Sequence, residues 1–285
     1  SLHHRLAAKF GHSAPSSEPS FHPLICHMAD VAAVTLAIWD RVLPVSSREL
    51  LSDGIGLPPD DARQWVAFVA GCHDLGKATR QFQAKDTNHA FRLSTPGFTA
   101  SNRLKDPGHG VRTAALFCEY AMNLGVTRPL ACQLGIIAGG HHDELLADFR
   151  ALFDLGTLPL REPPPQTAML LAGLISVADW IGSIEERFEW SPSGGEDLES
   201  YFSRVLGVAE QVLDEDRWSP EPLEGLTDFS QLFGFGPRPL QSLVESLVPS
   251  LDTPALVIVE APMGEGKTEA ALYLAHRWEV RGARG

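Results

Sequence analysis

Seven imidazole and carboxylate side chains interrupt or end segments that otherwise read as apolar helices. A helix carries such a group inward only where something satisfies it. His27 opens HMADVAAVTLAIWDRVL, a helix predicted over 27–43 and stopped by Pro44. His73 and Asp74 are adjacent in Gly71-Cys72-His73-Asp74-Leu75-Gly76-Lys77, at the end of a helix predicted over 61–72. Asp60 or Asp61, after Pro58-Pro59, is its expected cap. A further helix is expected over 77–85. His109 stands between two glycines at the start of a helix over 110–124, with Gly125 as its C-cap. A helix over 128–140 leads into His141 and His142. Asp179 lies inside a long apolar helix over 166–188, and a last helix of this series covers 197–218.

Imidazole suits first-row transition metals, and a carboxylate can bridge two of them. Five histidines and two aspartates favour Mn, Fe, Co, Ni or Zn over Mg, which prefers oxygen shells. Each residue also has an ordinary alternative. His27 could be a satisfied core histidine, His109 a helix-start residue bonding backbone, and Asp179 the partner of Arg187. His141 and His142 could sit in a solvent loop. Taken jointly the alternatives weaken, since several helices would each have to place such a group by accident.

The order His27, His73-Asp74 with Lys77, His109, His141-His142 and Asp179 resembles the HD superfamily of metal-dependent phosphohydrolases. More narrowly, it is similar to the HD nuclease domain of the CRISPR-associated nuclease–helicase of type I interference systems. The resemblance runs from about residue 20 to the end of the sequence. It implies one ion held by His27, His73, Asp74 and Asp179, and a second held by Asp74, His109, His141 and His142. Asp74 would bridge them, and Lys77 would sit near the scissile phosphate. Asp74 and Lys77 are the expected catalytic pair. Iron, manganese, nickel and cobalt are the expected ions.

The character of the sequence changes near its end. A β-branched run over 255–260 reads as a strand, followed by Ala261-Pro262-Met263-Gly264-Glu265-Gly266-Lys267-Thr268 and a helix from about Thr268. Strand, glycine-rich turn and helix are the context a phosphate-binding loop needs. Gly264 and Gly266 would let backbone N–H groups approach phosphates, Lys267 would reach the outer ones, and Thr268 would hold Mg²⁺. The string resembles motif I of superfamily 2 helicases. No acidic Walker B segment or second helicase lobe follows in this sequence, so the loop alone is expected to bind ATP poorly and not to hydrolyse it.

The expected fold is mainly α: an HD-domain helical bundle over 1–235, then a linker and the first strand–loop–helix of a truncated α/β RecA-like helicase domain over 236–285. No apolar run is long enough for a membrane helix, and the N-terminal residues lack a signal-peptide core. A cytoplasmic protein with no membrane partner is expected. The net charge of -13 argues against a general polyanion binder. The charge is uneven, with seven bases against two acids over 77–112 and thirteen acids against three arginines over 185–228. Both stretches could be solvated surface. Alternatively the first is a basic rim beside a phosphate-handling site.

Basic and aromatic residues over 82–103 could guide a strand or belong to a surface loop. Trp39, Trp65 and Trp180 are expected as packing anchors. Cys26, Cys72, Cys118 and Cys132 contain no C-x-x-C pair, so neither a zinc knuckle nor a disulfide scaffold is expected. His3, His4, His12 and His22 are not expected as ligands.

The function implied is a metal-dependent single-stranded DNA endonuclease, with exonucleolytic degradation when coupled to a helicase using ATP and Mg. The crRNA-guided surveillance complex, Cascade, would deliver the substrate. The rivals are an HD phosphohydrolase of nucleotides and a non-catalytic docking module of a helicase.

Overall fold

An apolar helix near the start of the sequence becomes the axis of the larger unit. In the computed structural model, α1 (Leu24–Arg41) is buried without a break from Leu24 to Trp39. A helix apolar on every side must be enclosed by others. α2 (Val45–Ile55) follows, then α3 (Pro59–Gly71) and a 3-10 turn, Cys72–Ala78. α4 (Arg80–Gln83), α5 (His109–Asn123), α6 (Arg128–Ala138), α7 (Pro165–Gly182) and α8 (Leu198–Glu215) complete the bundle. α3, α7 and α8 all pack on α1. The structure describes residues 8–9, 22–83, 109–138, 148–156, 158–159, 161–184, 186–189, 197–218, 227–250 and 257–280. Ala8–Lys9 and His22–Pro23 pair as a short antiparallel bridge ahead of α1.

The chain forms two compact units, Ser1–Ser219 and Pro220–Gly285. In the first, Phe68 of α3 anchors an aromatic cluster with Trp65, Phe117, Phe149 and Phe153. α5 and α6 run antiparallel. A β-carbon on Gly135 would come 2.5 Å from the carbonyl of Ala114, and one turn away Cys118 and Cys132 are joined as a disulfide. The second unit holds α9 (Phe229–Phe233), α10 (Pro239–Leu247), a 3-10 turn (Val248–Ser250) and α11 (Lys267–Val280). Its core is Phe229, Val244, Val248, Ala270, Tyr273 and Leu274.

Several elements differ from expectation. α3 starts at Pro59 with no side-chain cap, which leaves Asp60 and Asp61 in its first turn; acids there still complement the helix dipole. The helix expected over 77–85 is divided by the extended backbone of Thr79, whose hydroxyl donates to Gly76 O; residues 84–85 lie outside the described set. α7 ends at Gly182 rather than Phe188. Residues 257–260 join no strand ladder, because a strand needs a partner and none is paired with them among the described residues. The sequence leads to no disulfide scaffold, yet Cys118 and Cys132 are joined; Cys26 and Cys72 are buried and outside any disulfide. Trp39 and Trp65 are buried anchors, but Trp180 is 71% exposed. No helix among the described residues is long and apolar enough to cross a membrane.

Candidate metal centre

Two glycines let α1 be approached from both sides at the level of His27. A β-carbon on Gly71, at the end of α3, would lie 2.7 Å from the carbonyl oxygen of Met28. One on Gly182, at the end of α7, would lie 3.2 Å from the backbone nitrogen of Val31. His73 and Asp74 follow Gly71 after Cys72, and Asp179 precedes Gly182 by one helical turn. The backbone contacts therefore carry three chain-distant segments to one point.

There, one ligand atom from each of His27, His73, Asp74 and Asp179 lies within 4.8 Å of all the others. His27 Nε2 is 3.5 Å from Asp74 Oδ2 and 3.3 Å from Asp179 Oδ1. His73 Nε2 is 3.5 Å and 3.2 Å from the same two oxygens. His27 is wholly buried, Asp74 is buried, and Asp179 is partly open at 34% of its side chain. Arg187 does not reach Asp179; it pairs with Glu215. Ser183 Oγ donates to Asp179 Oδ1 at 3.0 Å.

The imidazoles face the carboxylates without the alignment of hydrogen bonds. His27 Nδ1, His27 Nε2 and His73 Nε2 are buried with no hydrogen-bond partner among the described residues. Orphaned buried nitrogens are costly, and their convergence with two carboxylates on one point is what a cation would satisfy. His73 is set for that. Its Nδ1 lies 2.9 Å from Ala70 O, which only accepts, so in the neutral ring Nδ1 carries the proton and Nε2 is the nitrogen with a lone pair for a metal. The cluster fits a divalent metal site.

The electrostatics of the metal-free cluster follow the same geometry. Burial opposes a charge on His73, but Asp74 and Asp179 outweigh it and push its pKa up to about 9. Burial likewise opposes charge on Asp74, yet His73, His27 and Lys77 hold its carboxyl well below the ordinary range. Asp179 is held down in the same way by His27 and His73. Lys77 forms an ion pair with Asp74 Oδ2. The 3-10 turn makes this contact, because its residues i and i+3 eclipse.

The remaining candidates are placed in part. His109 opens α5, one helical turn before Thr113, whose hydroxyl accepts the Gly76 N–H at 2.9 Å. The start of α5 is thereby tied to the turn carrying His73, Asp74 and Lys77. α6 runs back alongside α5, so its end at Ala138 comes to the same end of the pair as His109. His141 and His142 lie outside the described residues, as do the residues of the basic stretch over 84–108.

In the second unit Gly264 and Gly266 adopt left-handed backbone, at φ +86° and +78°. Lys267 Nζ folds onto the carbonyls of Ala261 and Pro262, at 2.6 and 3.0 Å. Thr268 lines a cavity of about 440 Å³ with Gly264, Gly266 and Lys267. α10 contributes residues that sequence reasoning missed. Arg238 donates to Gly264 O at 2.5 Å and Gln241 to Gly266 O at 3.3 Å. The Pro-rich start of α10 was their only signal.

Also missed was a network beside His27. Asp30, fully buried, accepts from Tyr201 Oη at 2.8 Å and lies 2.7 Å from His22 Nε2. Asp30 falls three residues after His27 on an apolar helix, and that polar exception was visible in the sequence.

Comparison with known proteins agrees with this geometry. The family model described as "Cas3, HD domain" matches residues 8–188. The CRISPR-associated endonuclease/helicase Cas3 of Thermus thermophilus is 33% identical over 92% of this chain, which covers 32% of that protein. The chain thus spans about a third of the length of the curated relatives it matches. A crystal structure of a CRISPR-associated protein superposes with a TM-score of 0.73 at 30% identity, over 98% of this chain and 34% of the other. The Thermus thermophilus Cas3 HD domain, solved in the presence of Ni²⁺, matches 75% of this chain and 90% of its own, at 27% identity and a TM-score of 0.53. A chain from a CRISPR RNA-guided surveillance complex before nicking matches at 25% identity and a TM-score of 0.62, over 96% of this chain and 35% of its own. With a model match over more than half its length, this helical bundle with its His–Asp cluster belongs to the Cas3 HD-domain family.

Proposed function

We propose that the chain is a metal-dependent nuclease that cuts single-stranded DNA in type I CRISPR interference, acting in the cytoplasm. The observation that carries this reading is the convergence of His27, His73, Asp74 and Asp179 with their imidazole nitrogens unsatisfied. The nuclease part covers residues 1–235, and a linker and the start of a helicase part follow over 236–285.

In this reading His27, His73, Asp74 and Asp179 would hold one ion, and Asp74, His109, His141 and His142 would hold a second. Asp74 would be shared by both. When bound, such ions would lower the pKa of water and offset the charge that gathers on a phosphodiester. The ligand set selects iron, manganese, nickel or cobalt over magnesium, and a related HD domain has been solved in the presence of Ni²⁺.

The protein's own groups do the rest. Ala70 O keeps the His73 proton on Nδ1, away from the site. Lys77, paired with Asp74, sets a positive charge beside the scissile phosphate. The partial exposure of Asp179 leaves the cluster open on one side, which suits a flexible strand. Asp74 and Lys77 are the catalytic pair in this account.

In the full-length protein, Gly264, Gly266, Lys267 and Thr268 would hold ATP and Mg²⁺, drawing Lys267 off the loop carbonyls it now contacts. Translocation would turn nicking into exonucleolytic degradation. The substrate would be delivered by the crRNA-guided surveillance complex, Cascade, as the match to a chain of such a complex supports.

The test is cleavage of circular single-stranded DNA by chelator-stripped protein given back Mn²⁺, Co²⁺ or Ni²⁺, beside the same sequence as duplex and a panel of nucleotides. Cutting of the circle, faster than of duplex, is expected. Hydrolysis confined to nucleotides, or no hydrolysis with any ion, would overturn the reading.

A further inference from the structure

A metal-binding imidazole is ordinarily fixed by a hydrogen bond from its other ring nitrogen to a carbonyl or carboxylate. His73 follows that pattern through Ala70 O. His27 does not. Neither of its ring nitrogens has a hydrogen-bond partner among the described residues, although the side chain is wholly buried. Something else must set the rotation of that ring.

Besides the carboxylates at Nε2, two other imidazoles meet the ring. His73 meets His27 edge-on, with centroids 5.4 Å apart and planes at 72°. His22 meets it from another position, at 6.4 Å and 76°. His22 is the better anchored of the two against rotation. Its Nε2 lies 2.7 Å from Asp30 Oδ2, and the other oxygen of that carboxylate accepts from Tyr201 Oη at 2.8 Å. Asp30 is on α1, one turn beyond His27, and Tyr201 is on α8. A fully buried carboxylate holds its place only when its oxygens are bonded. Asp30 has a donor on each, so His22 is tied to the same helix that carries His27 and, through Tyr201, to α8.

We propose that His22, held by Asp30 and Tyr201, is the positioning residue for His27: its ring edge fixes the His27 imidazole so that Nε2 faces Asp74 and Asp179. This rests on the reading of His27, His73, Asp74 and Asp179 as metal ligands. His22 touches neither ion nor substrate and acts only through His27. The ring, not merely a polar group at residue 22, is what the geometry requires.

The experiment is titration of the metal-free chain with Co²⁺, followed by visible absorption and by competition with a coloured chelator. His22→Gln keeps an amide donor for Asp30 but removes the ring. Its Co²⁺ affinity is expected to fall at least about tenfold, the effect typical of losing a group that orients a ligand. The absorption bands at saturation are expected to shift as the coordination geometry relaxes. The unfolding temperature of the metal-free protein should stay within about 2 °C, a small shift for a unit of this size. If His22→Gln does not fold, His22→Asn carries the same expectations. Wild-type binding together with unchanged affinity and spectrum in the variant would overturn the proposal alone. So would a loss of affinity that merely tracks a large loss of metal-free stability, with an unchanged spectrum at saturation. Absence of Co²⁺ binding by the wild type would overturn the metal reading beneath it.

Discussion

Gly71 lies so close to Met28 that a β-carbon on it would come within 2.7 Å of the Met28 carbonyl oxygen. This contact brings the end of α3 against α1 at the level of His27, and it makes the position intolerant of any side chain. Phe149 crowds the same place. Gly71→Ala therefore has to push α1 and α3 apart, at an expected cost of about 1–3 kcal/mol. His27 and His73 should separate with them. Urea unfolding of the metal-free chain measures the first effect, and Co²⁺ affinity the second. Full retention of both would show that the close approach does not position the site.

Asp74 is the centre of the cluster, facing His27, His73 and Lys77. Asp74→Asn keeps the shape and removes the charge. DNA cleavage is expected to fall to background. In metal-free protein the change leaves Lys77 without its buried counter-charge and His73 with Asp179 alone, at a cost of about 3 kcal/mol. Calorimetry with and without chelator separates the two effects.

The pH response of the metal-free protein follows from the direction of each shift. His73 is raised to about 9, so its contribution to stability is fully present below its unfolded pKa of about 6.5 and is lost as pH rises through 9. Asp74 and Asp179 are lowered, so theirs is present above about pH 4 and is lost as pH falls. Unfolding temperature in chelator should be greatest between roughly pH 4 and 6.5 and decline toward 9. Metal must displace the His73 proton, so uptake at pH 7 should release about one proton and affinity should rise from pH 7 to 9. Calorimetric titration in two buffers of different ionisation enthalpy counts that proton. A release of zero would contradict the charge assigned to His73.

The tryptophans separate packing from surface. Trp65 is 1% exposed and Trp180 is 71% exposed. Trp65→Ala should cost about 3–5 kcal/mol, and Trp180→Ala no more than about 0.5 kcal/mol. Chemical denaturation of the two variants side by side checks this.

Much of the site was legible because its residues are exceptions to a strong pattern. His27 and Asp179 stand out in apolar helices, and His73-Asp74 ends one. Asp30 is the same kind of exception, but its partner Tyr201 belongs to α8 and nothing local announces it. α2 escaped because its buried residues include Ser47, Ser52 and Gly54, which leave little apolar period to read. Gly54 faces Thr167 of α7, a match visible only in three dimensions. Cys118 and Cys132 belong to adjacent helices, and only the antiparallel register of α5 and α6 brings them together. Trp180 looked like an anchor because α7 is apolar throughout, which hides which face turns outward. The strand over 255–260 was read from β-branched residues, a preference that yields a ladder only beside a second strand.

The most direct test is anomalous diffraction from crystals of the chain grown with Mn²⁺ or Co²⁺. The account predicts a peak about 2.0–2.3 Å from His27, His73 Nε2, Asp74 and Asp179, absent in Asp74→Asn. A protein that cleaves single-stranded DNA while its only bound ion lies away from these four side chains would contradict it.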